Sequence, residues 1–316
     1  MQAFFVFRFF KSSIKVCRCS VRRKDVSTKN KSRLPKKYKM RIDAHQHFWQ
    51  FDPVRDSWIN DEMSIIQRDF LPHDLFPVLT NNKIEGCLTV QSNQAEEEND
   101  FQLSNAEKFD FIKGVVGWVD LQANNVEERL EYYSQFSKLK GFRHVLQGEA
   151  QRDFMLREDF KHGIGCLRKY NFAYDILIFP DQLPYTYEFV KAFPDQRFVI
   201  DHLAKPNIKN REISEWKKQM LLIASCNNVY CKVSGMVTEA NWKTWKKEDF
   251  TPYLDVVVDA FGTGRIMFGS DWPVCKVAAT YEEMIDIVES YFLPFSNTEK
   301  QKIFGVNAVS FYNLDA

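Results

Sequence analysis

From residue 41 onward, short runs of apolar and β-branched residues alternate with longer stretches that have helical spacing. Short apolar runs bounded by turn residues predict strands, whereas apolar positions three and four residues apart predict helices. Eight segments fit the strand pattern: Ile42–His47, Ile84–Gln91, Ile112–Val119, Leu139–Val145, Phe172–Ile178, Arg197–Leu203, Val229–Val233 and Ile266–Ser270. Two further segments, Tyr281–Phe292 and Thr298–Tyr312, predict helices after the last strand.

The alternation of strands and helices predicts a parallel sheet built from βα units. Eight such units in about 270 residues are typical of a (β/α)8 barrel of the TIM type. A doubly wound sheet is the alternative, but it requires a glycine-rich loop after the first strand. That loop reads Gln46-His47-Phe48-Trp49-Gln50-Phe51 and contains no glycine. We therefore predict an α/β fold with one barrel domain, residues 41–316, that ends in C-terminal helices.

The distribution of charge divides the chain at residue 40. Residues 1–40 hold 13 Lys and Arg against one acidic residue, Asp25, whereas the remainder holds 30 basic and 41 acidic residues. The acidic body is a poor partner for nucleic acid, because nucleic-acid binding relies on basic surfaces. Residues 1–40 are rich in Arg, Lys and Ser, so we expect a basic disordered extension or a transit peptide.

Cysteine usage and hydropathy indicate the compartment. The seven cysteines are odd in number and form no CxxC pair, which favours reduced thiols and a reducing environment. The apolar run 4–10 is broken by Arg8 and is far shorter than the roughly 20 residues of a membrane span. We therefore expect a cytoplasmic protein without a membrane or nucleic-acid partner, with mitochondrial import through residues 1–40 as the alternative. No signal for a particular oligomeric state is present.

Most histidines lie at the predicted ends of strands. The C-terminal ends of barrel strands converge on one face, where barrel enzymes have their catalytic groups. His45 and His47 end the first strand and point to the same side, because side chains alternate along a strand. His202 lies at the end of the sixth strand, and Asp271 follows the eighth. The sequence therefore predicts that these four side chains surround one small site.

Four motifs, in this order along the chain, resemble the amidohydrolase superfamily in its sugar-lactonase branch, the L-fuconolactonase and L-rhamnonolactonase type: Asp43–Trp49, Gly141–Gln147, Asp201–Pro206 and Phe268–Pro273. The resemblance extends from residue 41 to about residue 313. It implies a distorted (β/α)8 barrel and a hydrolase that opens an aldonolactone of the L-fucose or L-rhamnose type. The alternatives are a mononuclear-metal decarboxylase or amidase of the same superfamily, and a non-catalytic barrel that binds a small molecule.

For a lactonase we expect general-base catalysis by the acid of the last motif. Asp271 would take a proton from the water that attacks the lactone carbonyl and return it to the leaving oxygen. His45, His47 and His202 would donate hydrogen bonds to the developing oxyanion or position the water. A ring ester needs less Lewis-acid assistance than an amide, so this route is open without a metal.

Further residues are expected to contact the sugar. Arg143 and His144, at the end of the fourth strand, would hold the carbonyl or the ring hydroxyls. Trp49 and Trp272 directly follow two of the motifs and would form an aromatic wall against the apolar face of a deoxy-sugar. Lys232 and Ser234, near the end of the seventh strand, could reach the rim of the barrel, but Lys232 is interpreted as an ordinary solvated lysine in preference.

The resemblance also raises the question of a metal. Binuclear members have a carboxylated lysine at the end of strand 4 and a histidine on strand 5, but the corresponding segments here read Phe142-Arg143-His144 and Tyr174-Asp175-Ile176. A two-metal bridge is therefore not expected. His45, His47 and Asp271 could hold one divalent ion such as Zn²⁺ with an open position. We expect turnover that requires no cofactor, with the single-Zn²⁺ site as the open alternative.

Overall fold

The structure is a computed structural model that describes residues 40–315. The extension or transit peptide predicted for residues 1–40 lies outside the described residues, apart from Met40. Within the described part of the chain, no helix is both long enough and apolar enough to cross a bilayer.

Eight parallel strands follow one another in chain order around the structure: β1 (Ile42–Gln46), β2 (Gly86–Val90), β3 (Ile112–Gly117), β4 (Leu139–His144), β5 (Ala173–Ile176), β6 (Phe198–Ile200), β7 (Val229–Val233) and β8 (Ile266–Phe268). Just after β8, Trp272 forms a parallel bridge with Gln46 of β1. There the amide of His47 donates to the carbonyl of Trp272 at 2.7 Å. The sheet thus returns to its first strand, and the predicted (β/α)8 barrel is confirmed.

Helices connect the strands and follow the last one: α1 (Pro72–Asn81), α2 (Glu96–Lys108), α3 (Val126–Tyr133), α4 (Glu158–Leu167), α5 (Leu183–Ala192), α6 (Ser214–Ala224), α7 (Lys247–Phe261), α8 (Tyr281–Phe292), α9 (Asn297–Gln301) and α10 (Asn307–Phe311). A π-helical turn, Lys302–Val306, joins α9 to α10. The helix predicted over Thr298–Tyr312 is therefore present as one helical stretch whose hydrogen-bond pattern changes in the middle.

The strands are apolar because both of their faces are buried. One side packs against the surrounding helices and the other fills the barrel interior, as is usual for parallel sheets. Every residue of β2, β5 and β6 is buried. A polar side chain in such a strand therefore requires a partner inside the protein, and this rule governs the site described below.

Several predicted strands extend past the observed ends. The segment Arg197–Leu203 contains only the three-residue β6, and its last residues form a turn. Leu203 is fully buried although it is not in a strand. Because this loop residue is buried, it is apolar like the strand residues before it. The apolar pattern therefore predicted the sixth strand correctly but extended it beyond its observed end.

Candidate active site

The four side chains predicted to be catalytic converge at the C-terminal mouth of the barrel. Asp271 Oδ1 lies 3.4 Å from His47 Nε2, 3.9 Å from His45 Nε2 and 3.9 Å from His202 Nε2. Each of the four side chains is at most 5% exposed. The structure therefore brings together one carboxylate and three imidazoles from three distant parts of the sequence.

A buried carboxylate below the site fixes this geometry. Asp43 Oδ1 accepts hydrogen bonds from the amides of Ser270 (2.9 Å) and His45 (3.1 Å). Its Oδ2 accepts from the Tyr281 hydroxyl at 3.1 Å. Burial raises the pKa of Asp43 to about 6, although these hydrogen bonds oppose the shift. Asp43 thus joins β1 to the loop that carries Asp271, whose own amide donates to the carbonyl of His45 at 2.8 Å.

The orientation of the His47 ring follows from one backbone contact. His47 Nδ1 lies 2.7 Å from the carbonyl oxygen of Val90, which can only accept a hydrogen bond. Nδ1 is therefore assigned a proton that it donates to this carbonyl, and Nε2 faces the site. That nitrogen is 3.2 Å from His45 Nε2.

The His45 ring is held between an acid and an arginine. His45 Nδ1 is 3.2 Å from Asp201 Oδ1, and its Nε2 is 3.4 Å from Arg143 Nη1. Burial lowers the pKa of His45 well below its usual value, so the ring is neutral at neutral pH. Nδ1 also lies 3.2 Å from Lys232 Nζ, so one acid and two cations surround the ring. Burial likewise lowers the pKa of His202 well below the usual value.

The carboxylate of Asp271 remains ionised in this setting. Burial by itself raises its pKa, but the polar groups of His202, His47 and Lys205 outweigh burial. The net pKa of Asp271 lies below its ordinary value. An ionised carboxylate that faces three imidazoles is suited to accept a proton from a bound water.

Lys232 lies directly behind His45, and its interpretation as a solvated lysine is wrong. The side chain is fully buried, with Nζ 2.5 Å from Asp175 Oδ2, 3.1 Å from Asp201 Oδ1 and 3.2 Å from His45 Nδ1. The reason is its place in β7, a buried strand from which the side chain points into the barrel interior. The sequence did carry a signal, since a lysine in the apolar run Val229–Val233 requires an internal partner.

The two carboxylates beside Lys232 have different electrostatic environments. Burial raises the pKa of Asp175 to about 6, and the Tyr312 hydroxyl donates to its Oδ1 at 2.8 Å. For Asp201, burial also raises the pKa, but Lys232, His45 and Arg143 outweigh it, and the pKa lies well below the usual value. Asp201 is therefore firmly ionised beside the His45 ring.

A cavity of about 380 Å³ opens above these groups. This volume is within the range of small-molecule sites, roughly 300 to 1,000 Å³. Its walls combine the catalytic candidates with polar and aromatic side chains: His47, Arg55, Trp58, Ser92, Asn93, Gln94, Arg143, Val145, Gln147, Gly148, Leu177, His202, Lys205, Asp271 and Val274. A small polar molecule with several hydroxyl groups suits this lining.

Three of the predicted substrate contacts are not brought to the cavity wall. His144 Nε2 is 2.7 Å from Glu149 Oε1, and the ring is buried. Trp272 is 3% exposed and packs on Phe70. Trp49 is also 3% exposed and lies behind Trp58, with ring centroids 6.0 Å apart. The structure instead places Trp58 in the wall, a residue that no motif singled out.

Arg143 does line the cavity, but protein groups occupy most of its donors. Nη1 donates to Asp201 Oδ2 at 3.1 Å, and Nη2 donates to Gln91 Oε1 at 3.0 Å and also to the Gln91 carbonyl. The side chain is 4% exposed. Arg143 therefore fixes Asp201 and His45 in addition to facing the cavity.

His202 owes its position to a close approach of the backbone. Its Nδ1 lies 2.9 Å from Ser234 Oγ, and Gly235, with φ +60°, passes against the ring. A Cβ atom at Gly235 would lie 2.6 Å from His202 Nδ1. Only glycine combines this φ with this clearance.

We expect Gly235→Ala to lower the free energy of unfolding by about 1–2 kcal/mol from the left-handed backbone alone, with further loss from the displaced imidazole. Urea denaturation measures this change. Gly264→Ala is the matched control, because a Cβ there meets no atom within 4 Å. An equal effect of the two substitutions would contradict the assigned role of Gly235.

The donor atoms facing one another in the site fit a single metal ion. His45 Nε2 and His47 Nε2 are 3.2 Å apart. Asp271 Oδ1 lies 3.4 Å from His47 Nε2 and 3.9 Å from His45 Nε2. Tetrahedral Zn²⁺ with bonds of about 2.0–2.1 Å requires ligand separations of about 3.3–3.4 Å. A second possible group, formed by His45, Asp201 and His202, shares His45 with the first. Three protein ligands plus an open position thus fit His45, His47 and Asp271.

Comparisons with known proteins agree with this picture. A family model described as amidohydrolase matches residues 42–314. The chain is 36% identical over 286 residues to an L-fucono-1,5-lactonase of Burkholderia multivorans, covering 87% of this chain and 96% of that protein. It is 34% identical over 282 residues to an L-fucono-1,5-lactonase of Burkholderia ambifaria, covering 87% and 96% respectively. The crystal structure of an amidohydrolase from Burkholderia multivorans with bound Zn superposes with a TM-score of 0.85, at 36% identity, covering 87% of this chain and all of that one.

Proposed function

The chain belongs to the amidohydrolase family, and we propose that it hydrolyses the lactone of a six-carbon deoxy-sugar acid, of the L-fucose or L-rhamnose type. The observation that carries this proposal is the ionised Asp271 carboxylate facing three imidazoles at the base of a sugar-sized cavity. The names of the two relatives at 34–36% identity support the same substrate class.

In the proposed reaction, Asp271 acts as the general base. It accepts a proton from water as the water oxygen attacks the lactone carbonyl, and it later gives this proton to the ring oxygen that leaves. The low pKa of Asp271 suits the first step, because the carboxylate is free to accept the proton at neutral pH. The carbonyl carbon thus exchanges its ring oxygen for the water oxygen.

The three imidazoles position the reactants around Asp271. We assign His202 to the carbonyl oxygen and His47, whose Nδ1 proton is directed to the Val90 carbonyl, to the water. His45 lies deeper and is fixed by Asp201 and Arg143, so it orients the other groups from below. A preorganised donor such as the His202 ring stabilises the oxyanion without a reorganisation of the site.

Contacts with the sugar ring come from the rest of the cavity. Arg143 is proposed to hold the carbonyl or a ring hydroxyl through guanidinium N–H groups that do not donate to Asp201. Trp58 is proposed as the aromatic wall for the apolar face of the deoxy-sugar, since it is the tryptophan in the lining. Trp49 supports that wall from behind, and Trp272 packs on Phe70, which in turn packs on Trp49.

A divalent ion would be held by His45, His47 and Asp271. When bound there, it would supply Lewis-acid polarisation of the water or the carbonyl. The proposed steps do not depend on it, because a ring ester is activated and Asp271 already provides a base.

We expect removal of metal to leave turnover nearly unchanged. The protein is dialysed against a chelator, its metal content is measured, and hydrolysis of L-fucono-1,5-lactone is compared before and after. The rates should agree within about twofold, whereas loss of a required Lewis acid would cost several kcal/mol of barrier. A rate that falls in proportion to bound metal and returns with Zn²⁺ would contradict the metal-independent reaction.

A panel of substrates tests the proposed function itself. Five- and six-membered lactones of L-fuconic and L-rhamnonic acid are compared with an aryl carboxylate and a simple amide, by acid release for lactones and by product analysis for the others. We expect turnover of at least one sugar lactone and of neither other class. Decarboxylation of the aryl acid, or hydrolysis of the amide alone, would favour another reaction of the superfamily.

A further inference from the structure

A left-handed turn places Lys205 beside His202 in the cavity. His202, Leu203, Ala204 and Lys205 have φ values of 53°, 54°, 57° and 50°. Consecutive non-glycine residues seldom adopt this region, because each one is strained. The turn is closed by the Lys205 amide, which donates to the His202 carbonyl at 2.7 Å, and by Trp216 Nε1, which donates to the Leu203 carbonyl at 2.8 Å. As a result, the first and last residues line the cavity and the two between them are buried.

The N–H groups of the Lys205 ammonium donate no hydrogen bond to the described residues. Nζ is 3.8 Å from Glu239 Oε1, which is beyond hydrogen-bond distance, and 5.4 Å from the centre of the Phe179 ring. Among residues 40–315, no oxygen accepts a hydrogen bond from it. An ammonium can donate three hydrogen bonds, and the side chain is still 18% exposed. Lys205 can therefore bind an oxygen that enters the cavity.

The two other cations of the lining have close carboxylate partners. Arg143 Nη1 donates to Asp201 at 3.1 Å, and Arg55 donates to Asp56 through Nη2 at 2.8 Å. Their charges are balanced inside the protein before a ligand arrives. Among the described residues, Lys205 pairs with Glu239 at 3.8 Å and, unlike the two arginines, donates no hydrogen bond to a carboxylate.

The proposed reaction creates a negative charge that the substrate lacks. A neutral lactone and water give a hydroxy acid: the bond from the acyl carbon to the ring oxygen breaks, and a bond to the water oxygen forms. One water proton reaches the ring oxygen through Asp271, and the new carboxylic acid releases its proton to the solvent at neutral pH. A carboxylate then lies near the ionised Asp271, and the two repel unless a cation lies between or beside them.

We propose that Lys205 Nζ forms a carboxylate subsite for the ring-opened aldonate, through a charge-assisted hydrogen bond to an oxygen of the new acid. This inference rests on the proposed function, since it assumes that the bound product is a sugar acid. It assigns a ligand contact to Lys205, which takes no part in the proton transfers of the general-base reaction.

Calorimetric titration with L-fuconate and with neutral L-fucose tests the subsite. The proteins are wild type, Lys205→Met, Lys205→Gln, Lys205→Arg and the control Lys209→Met, an exposed lysine of the same segment. We expect both neutral variants to bind L-fuconate about tenfold or more weakly, and L-fucose as wild type does. Lys205→Arg should retain most of the preference for L-fuconate over L-fucose, and Lys209→Met should retain all of this preference.

Two results would overturn the subsite. One is wild-type protein that binds L-fuconate no more tightly than L-fucose. The other is an equal loss of affinity for both ligands in Lys205→Met and Lys205→Gln, which would indicate damage to the cavity in general. Failure of the proposed function is observed separately, as the absence of lactone hydrolysis by the wild-type protein, because the titration measures binding without turnover.

Discussion

Asp271→Asn should lower kcat for lactone hydrolysis by about 10²- to 10⁴-fold, the usual contribution of a positioned general base. The amide has nearly the shape of the carboxylate but does not accept the proton of the attacking water. KM should change much less than kcat, because the group acts on the reacting water and not on the sugar ring. Steady-state rates of acid release from L-fucono-1,5-lactone measure both constants.

The matched control is Asp259→Asn, an exposed acid on α7. It should have wild-type kinetics, and circular dichroism should show that both variants are folded. If Asp271→Asn is folded and keeps a near wild-type kcat, Asp271 is not the base.

Lys232→Met should strongly destabilise the folded protein. It removes the cation shared by Asp175 and Asp201 and leaves two carboxylates in the barrel interior. Removing one member of a buried ion pair usually costs about 3–5 kcal/mol. Urea denaturation measures the loss, and Lys217→Met, at an exposed position of α6, is the control.

A double substitution separates loss of charge balance from loss of packing. Lys232→Met with Asp175→Asn removes both the cation and its closest carboxylate, while Asp201 keeps its contact with Arg143. The double variant should therefore be less destabilised than Lys232→Met alone. Additive losses from the two substitutions would show that the ion pair contributes no coupling energy.

The residues of the site differ in how far the sequence predicted their place. His45, His47, His202 and Asp271 were predictable because each one lies at or within three residues of the C-terminal end of a strand, and the barrel brings those ends together. The alternation of side chains along the first strand was enough to place His45 and His47 on one side. The pattern of strands therefore predicted which residues meet, although the loops set their final orientation.

Other contacts depended on loops, whose paths the pattern does not determine. The left-handed turn that aims Lys205 into the cavity has no glycine to mark it. Trp49 and Trp272 were expected in the wall because they follow motifs, but packing on neighbouring rings places them behind it. For Lys232, charge alone suggested solvent, whereas its buried strand required an ion pair in the barrel interior.

A single-turnover reaction in ¹⁸O-labelled water tests the central claim most directly. Enzyme in excess over L-fucono-1,5-lactone is quenched after one turnover, and mass spectrometry locates the label in the aldonate and in the peptide that contains Asp271. The account predicts rapid formation of aldonate with one ¹⁸O atom in its carboxylate and none in the protein. Aldonate formed no faster than in buffer, or a first turnover that puts the label into Asp271, would contradict activation of water by this carboxylate.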